Sequence, residues 1–319
     1  MRALVALLTL LAAAGTPAAA RDLPLAQPID CTLGDTCFIQ QYVDHDPGPG
    51  AQDFTCGPLS YDGHKGTDFA LPSFAAMHAG VDVLAAAPGT VLGLRDEMPD
   101  TGWSPELEGR DCGNGLVLDH GDGWQTQYCH LKRGSLTVQK GQRVAMGAVL
   151  GQVGYSGRTQ FPHLHLSVRQ GDRVVDPFDP DGQITCGTPD TDVLWTDPPA
   201  YSPGGLLNAG FADRVPDYDA IKEGTAHAEA LPRDPDALVI WGYAFGAKAG
   251  DVMRMRILGP DGREVFAHDA DIADPKAQLF RAAGTRVRRG LMPGTYQGEV
   301  TLIRDDIAFD RMETTLRVD

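Results

Sequence analysis

Short runs of alternating apolar and polar residues, broken by turn residues, fill most of the chain. In residues 163–168, Leu164, Leu166 and Val168 alternate with His163, His165 and Ser167. This period of two predicts a strand with both imidazoles on one face. Residues 56–186 read as mostly β, because the apolar stretches are short and β-branched and glycine-containing turns recur. Gly121-Asp122-Gly123 marks the turn of a hairpin. Residues 217–319 have another rhythm. Ala237–Phe245 is a strand candidate, and Met253, Met255 and Ile257 alternate against Arg254 and Arg256. Gly259-Pro260-Asp261-Gly262 turns that strand toward Glu264–Phe266, and 295–303 and 313–318 continue the pattern. This predicts an all-β chain whose last part is an immunoglobulin-like β-sandwich. Between the two parts, residues 187–216 hold five prolines and read as an ordered linker, with Trp195 expected to pin it to a domain.

The first twenty residues differ from the rest. Arg2, the apolar stretch Ala3–Ala14 and the small residues Ala18-Ala19-Ala20 predict a cleaved signal peptide and a mature start at Arg21. Export to a periplasm or the exterior follows, with no stable membrane insertion after cleavage. Residues 21–55 form a lead segment containing proline and glycine. The chain has 27 basic and 43 acidic residues, a net charge of -16. That balance argues against a nucleic-acid partner, which needs basic clusters for phosphate. It leaves the oligomeric state open. Six cysteines in an exported chain suggest three disulfides among fifteen possible connectivities. Cys112 and Cys129 flank the hairpin and should pair. Cys31 and Cys37 can close a small loop, which leaves Cys56 with Cys186 to tie the start of the β region to its end. No C-x-x-C pair points to a cysteine zinc site.

Three short motifs carry the candidate chemistry: His64-Lys65-Gly66-Thr67-Asp68, Tyr128-Cys129-His130-Leu131 and His163-Leu164-His165. Two imidazoles and a carboxylate are a common ligand set for catalytic zinc, which keeps a further position for water. In their order and spacing the motifs resemble the lysostaphin-type, LytM-like zinc endopeptidases that cut peptide bonds of bacterial peptidoglycan. The resemblance covers His64 to Pro177. It implies a lysostaphin-type antiparallel β catalytic domain over 56–186, with one Zn2+ per chain on His64, Asp68 and His165. It makes His130 and His163 the catalytic histidines that do not bind the metal. Gly80–Val91, Gly115–Gly123 and the turns through Gly157 resemble that family's further strands, while residues between Asp68 and Gly80 form an insertion and Cys129 stands where a small apolar residue is expected.

His78-Ala79-Gly80-Val81-Asp82 also reads H-x-G-x-D. If it were the metal motif, the strand and turn that follow the aspartate in the family would be missing downstream, so the first motif is preferred. The resemblance implies attack of a zinc-activated water on peptide cross-links, with peptidoglycan stems as partner and D-alanyl–diaminopimelate links as the bond. Tyr61 and Asn114 are expected near the substrate. The H-E-x-x-H motif is absent. The alternative is a catalytically inactive LytM-like regulator of other wall hydrolases, which typically loses ligands; a lipoyl-like carrier leaves all five residues unexplained. His45, in Val43-Asp44-His45-Asp46, reads as part of a polar loop, and His227 and His268 read as surface or packing histidines.

Overall fold

The computed structural model describes residues 23–184, 186 and 192–319. The expected signal peptide and residues 187–191 of the expected linker lie outside the described residues. The first ten strands, in chain order, are β1 (Phe38–Gln41), β2 (Thr67–Ala70), β3 (Asp82–Leu84), β4 (Gly89–Arg95), β5 (Asn114–Gly121), β6 (Trp124–Leu131), β7 (Arg143–Val144), β8 (Val149–Gln152), β9 (His163–Gln170) and β10 (Arg173–Val175). Eight of them form one sheet in the order β1-β2-β9-β6-β5-β4-β7, with β10 paired to β9, while β3 and β8 form a separate ribbon. Each pairing among these strands is antiparallel. The region thus has the β architecture that the residue pattern predicts.

The insertion after Asp68 forms a short helix, α1 (Phe74–Ala79), whose first turn is capped by the Ser73 hydroxyl accepting from Ala76 N–H. The lead segment does not stand apart from the sheet. Its residues 38–41 form the edge strand β1 beside β2. Its Tyr42 ring packs with Phe54, Phe178 and Tyr201 in an aromatic cluster, and Trp195 closes against Phe69 and Phe178. Disulfides join Cys31 to Cys37, Cys56 to Cys186 and Cys112 to Cys129. Cys129 therefore departs from a small apolar residue because it bridges the two arms of the hairpin.

The later strands are β11 (Gly205–Ala212), β12 (Ala230–Leu231), β13 (Ala237–Ala247), β14 (Val252–Leu258), β15 (Glu264–Asp271), β16 (Lys276–Arg286), β17 (Gly294–Arg304) and β18 (Ile307–Val318), with α2 (Tyr218–Glu223) after β11. A three-stranded sheet, β11-β13-β16, faces a five-stranded one, β12-β18-β17-β14-β15. Leu238, Ile240 and Ala244 of β13 share a core with Met253, Met255, Ile257, Val300 and Leu302. The other face of β13 is buried too. Trp241, Tyr243 and Phe245 join the core of the first sheet, where Phe245 lies 6.0 Å from Phe38. Gln278 Nε2 donates to Gln40 Oε1 across the same contact. A continuous apolar strand thus buries both its faces, one in each core. Among the described residues, no helix is long and apolar enough to cross a membrane.

Candidate metal centre

The register of the sheet builds the centre. Thr67 to Ala70 pair with Leu166 to His163, so Asp68 lies directly opposite His165 and Ala70 opposite His163. Directly opposed residues of an antiparallel pair present side chains to one face, with Cβ atoms about 5 Å apart. Asp68, His163 and His165 are thereby gathered by backbone pairing alone. His64 arrives from the loop before β2. A Cβ on Gly66 would lie 2.6 Å from His165 Cε1 and Nε2 and 2.6 Å from Leu166 O. Only glycine lets the chain pass this close to the His165 ring.

His64 Nδ1 donates to the Tyr42 carbonyl at 2.7 Å. Its proton is therefore on Nδ1, and Nε2 turns a lone pair to the centre. His64 Nε2 lies 3.2 Å from Asp68 Oδ1 and 3.1 Å from His165 Nδ1, and His165 Nδ1 lies 2.8 Å from Asp68 Oδ1. In a tetrahedral zinc site with bonds of 2.0–2.1 Å, neighbouring ligand atoms are about 3.3 Å apart. The donor set and spacing fit a metal ion. Among the described residues, these three form the group whose ligand atoms all lie within 4.8 Å of one another. His78 is exposed on α1 and is no member of it; nor is Asp82.

Burial would raise the Asp68 carboxyl, but the facing His64 and His163 charges outweigh it and hold the group well below the usual carboxylate range. Burial pulls the His64 imidazole down, and the Asp68 carboxylate reverses this and leaves it raised. For His165 burial prevails, and its imidazole is lowered despite Asp68. His130 is held well below its ordinary value, first by burial and then by the like charges of His163 and His165.

His130 reaches the centre through an irregularity. Cys129 is the last residue of β6 opposite β9, facing His165, and strand alternation would turn His130 to the other side. A φ of 64° at His130, in the left-handed region, breaks that alternation. Its ring centroid then lies 4.6 Å from His163 and 6.0 Å from His165. His130 Nδ1 donates to Ser156 O at 2.8 Å. His163 Nδ1 donates to Phe161 O at 2.9 Å and lies 3.1 Å from Thr159 Oγ1, while its Nε2 is 3.5 Å from Asp68 Oδ1.

The profile of Peptidase family M23 matches residues 62–177, which contain all five of these residues. The chain carries an M23 peptidase domain. Peptidoglycan DD-endopeptidase ShyB of Vibrio cholerae is 33% identical over 168 residues, 53% of this chain and 31% of that protein. ShyA of the same organism, also a peptidoglycan DD-endopeptidase, is 33% identical over 105 residues, 33% of this chain and 20% of the relative. Cell division protein DipM of Caulobacter vibrioides is 34% identical over 104 residues, 32% of this chain and 15% of it. The aligned region spans less than a third of the length of each of these relatives.

Several residues that orient the M23 site were not foreseen: Tyr42 and Ser156 through their carbonyls, and Thr159 through its hydroxyl. A carbonyl is common to every residue type, so no sequence signal marks the first two. Thr159 lies four residues before His163 and could have been considered. Tyr61 is 55% exposed, with its ring 4.4 Å from His64, where substrate can reach it. Asn114 is corrected to a structural role. It is fully buried, and its amide is used on Met98 and Leu131. His45 lies in a loop, as expected, and is a half-buried partner of Asp176, at 2.8 Å. His227 accepts from Phe211 N–H and packs.

Proposed function

We propose that the protein is an exported zinc endopeptidase that hydrolyses peptide cross-links of bacterial peptidoglycan in a periplasm or outside the cell. The observation that carries this reading is the convergence of three electron-pair donors about 3 Å apart, one of them fixed in tautomer by Tyr42. Three such acceptors repel one another unless a cation or a proton lies between them. His64, Asp68 and His165 would hold one zinc ion per chain. Held there, zinc would lower the pKa of water toward about 7 and would polarise a scissile carbonyl. His130 and His163 each commit Nδ1 to a backbone carbonyl, so each offers Nε2 to the cleft. There Nε2 takes a proton from the attacking water, returns one to the leaving amine and, when protonated, hydrogen-bonds the developing oxyanion.

The similarity to peptidoglycan DD-endopeptidases supports stem peptides as substrate and D-alanyl–diaminopimelate links as the bond cut. The proposed organisation is a signal peptide over 1–20, a lead segment over 21–55, the peptidase over 56–186, a linker over 187–216 and an accessory sandwich over 217–319. The test is digestion of purified sacculi by zinc-loaded protein, with products identified by mass. Severed cross-links are expected, and chelation or His64→Ala, which also empties the metal site, should abolish the cleavage. His78→Ala keeps both metal and activity. Intact sacculi with loaded protein, or metal loss from His78→Ala alone, would overturn the reading.

A further inference from the structure

We infer that Arg158 is a specificity-determining residue that binds a free carboxylate lying beside the scissile amide of the peptide substrate. This rests on the peptidase reading above. Arg158 sits between the two groups that orient the non-ligand histidines. Ser156, two residues before it, holds His130 Nδ1 through its carbonyl, and Thr159, one residue after it, contacts His163 Nδ1. Ser156 is fully buried and Thr159 is 4% exposed, whereas Arg158 between them is exposed. The loop is rigid here. Arg158 N–H donates to Asp111 O at 2.8 Å, and Trp103 N–H donates to Thr159 O at 3.1 Å. Gly157 packs so tightly that an added Cβ would lie 2.4 Å from both Asp111 O and Gly113 N. The backbone that carries the guanidinium is thus fixed to the catalytic face, while the side chain projects from it.

The charge has no internal use. Arg254, Arg256, Arg304 and Arg311 each pair with a carboxylate. Arg158 has no side-chain partner among the described residues, in a chain of net charge -16. An exposed, unpaired guanidinium on the loop that orients His130 and His163 is suited to bidentate recognition of a planar carboxylate. The substrate class this selects is a cross-linked peptide whose residue next to the cut amide keeps its own carboxylate ionised.

The experiment compares a soluble cross-linked peptide bearing that free carboxylate with the same peptide amidated there. The zinc-loaded full chain is assayed against Arg158→Gln and Arg158→Lys. The wild type should prefer the free acid by about 10- to 100-fold in kcat/KM, the range of one charge-assisted hydrogen-bonded pair. Arg158→Gln should lose that preference mainly through KM, with zinc content and activity on the amidated peptide unchanged. Arg158→Lys should restore part of it. Equal cleavage of both peptides by the wild type, or equal losses on both in Arg158→Gln, would overturn the assignment of Arg158 alone. Cleavage of neither peptide by loaded wild type would overturn the peptidase reading and this inference with it.

Discussion

Replacing Gly66 by alanine tests whether close approach of the first motif to β9 is what assembles the centre. The new methyl would sit 2.6 Å from two atoms of the His165 ring and from the Leu166 carbonyl oxygen. Ordinary contacts of a Cβ begin near 3.4 Å, so ring and backbone must separate by about 0.8 Å. Leu166 O belongs to a central strand and yields little, and the displacement falls mainly on the His165 ring. Metal–ligand distances tolerate only about 0.2 Å. A shift several times larger removes or weakens one of the three donors, and zinc affinity should fall at least as far as on loss of a supporting contact, about 10- to 100-fold. The assay is competition for zinc against a chromophoric chelator, with a thermal melt of the metal-free protein alongside. Gly93→Ala is the control, because nothing lies within 4 Å of a Cβ at that position of β4. Gly66→Ala binding zinc within about threefold of wild type, while folded, would refute the steric argument.

Three further outcomes follow from the same geometry. His163→Ala should retain zinc and lose at least about 100-fold in kcat, whereas His165→Ala should lose zinc; metal analysis and peptide cleavage on the two variants check this, and an exchanged pattern would reverse the roles. A chain ending after Cys186 keeps all five site residues but uncovers the surface that receives Trp241, Tyr243 and Phe245. With each large apolar side chain worth about 1.5–3 kcal/mol, it should melt well below the full chain and bind a hydrophobic dye; melting within about 2 °C of it would show that the contact contributes nothing. Burial lowers the His45 imidazole, but its hydrogen bond to Asp176 outweighs this and raises it. A raised imidazole stabilises the fold fully below the unfolded value of about 6.5 and loses that contribution as pH climbs through the folded value. Urea unfolding should therefore show a larger gap between wild type and His45→Gln at pH 6 than at pH 8.5, and an equal gap at both would count against the ion pair.

Local pattern was sufficient for much of this molecule. Alternation in 163–168 put His163 and His165 on one face because a strand repeats every two residues, whatever it pairs with. The Cys112–Cys129 pairing was legible because a hairpin brings its own arms together, and the Cys31–Cys37 loop is equally local. Order and spacing of the three motifs were enough to bring His64, Asp68, His130, His163 and His165 together as candidates. What the residues could not convey was the partner on the far side of each contact. β1 pairs with the strand carrying Asp68, and Tyr42 orients His64 from twenty-two positions earlier through a carbonyl that every residue possesses. His130 enters the centre through a left-handed backbone at a non-glycine residue, against the alternation its strand suggests. Asn114 looked available to substrate and is spent on Met98 and Leu131, because burial obliges a polar side chain to find partners. Phe245 and Trp241 alternate with Leu238, Ile240 and Ala244 in an unbroken apolar run. Such a run says that both faces of β13 are covered. Only the tertiary structure decides that one face meets its own sandwich and the other the sheet of the M23 domain, since hydrophobic burial has a magnitude but no direction.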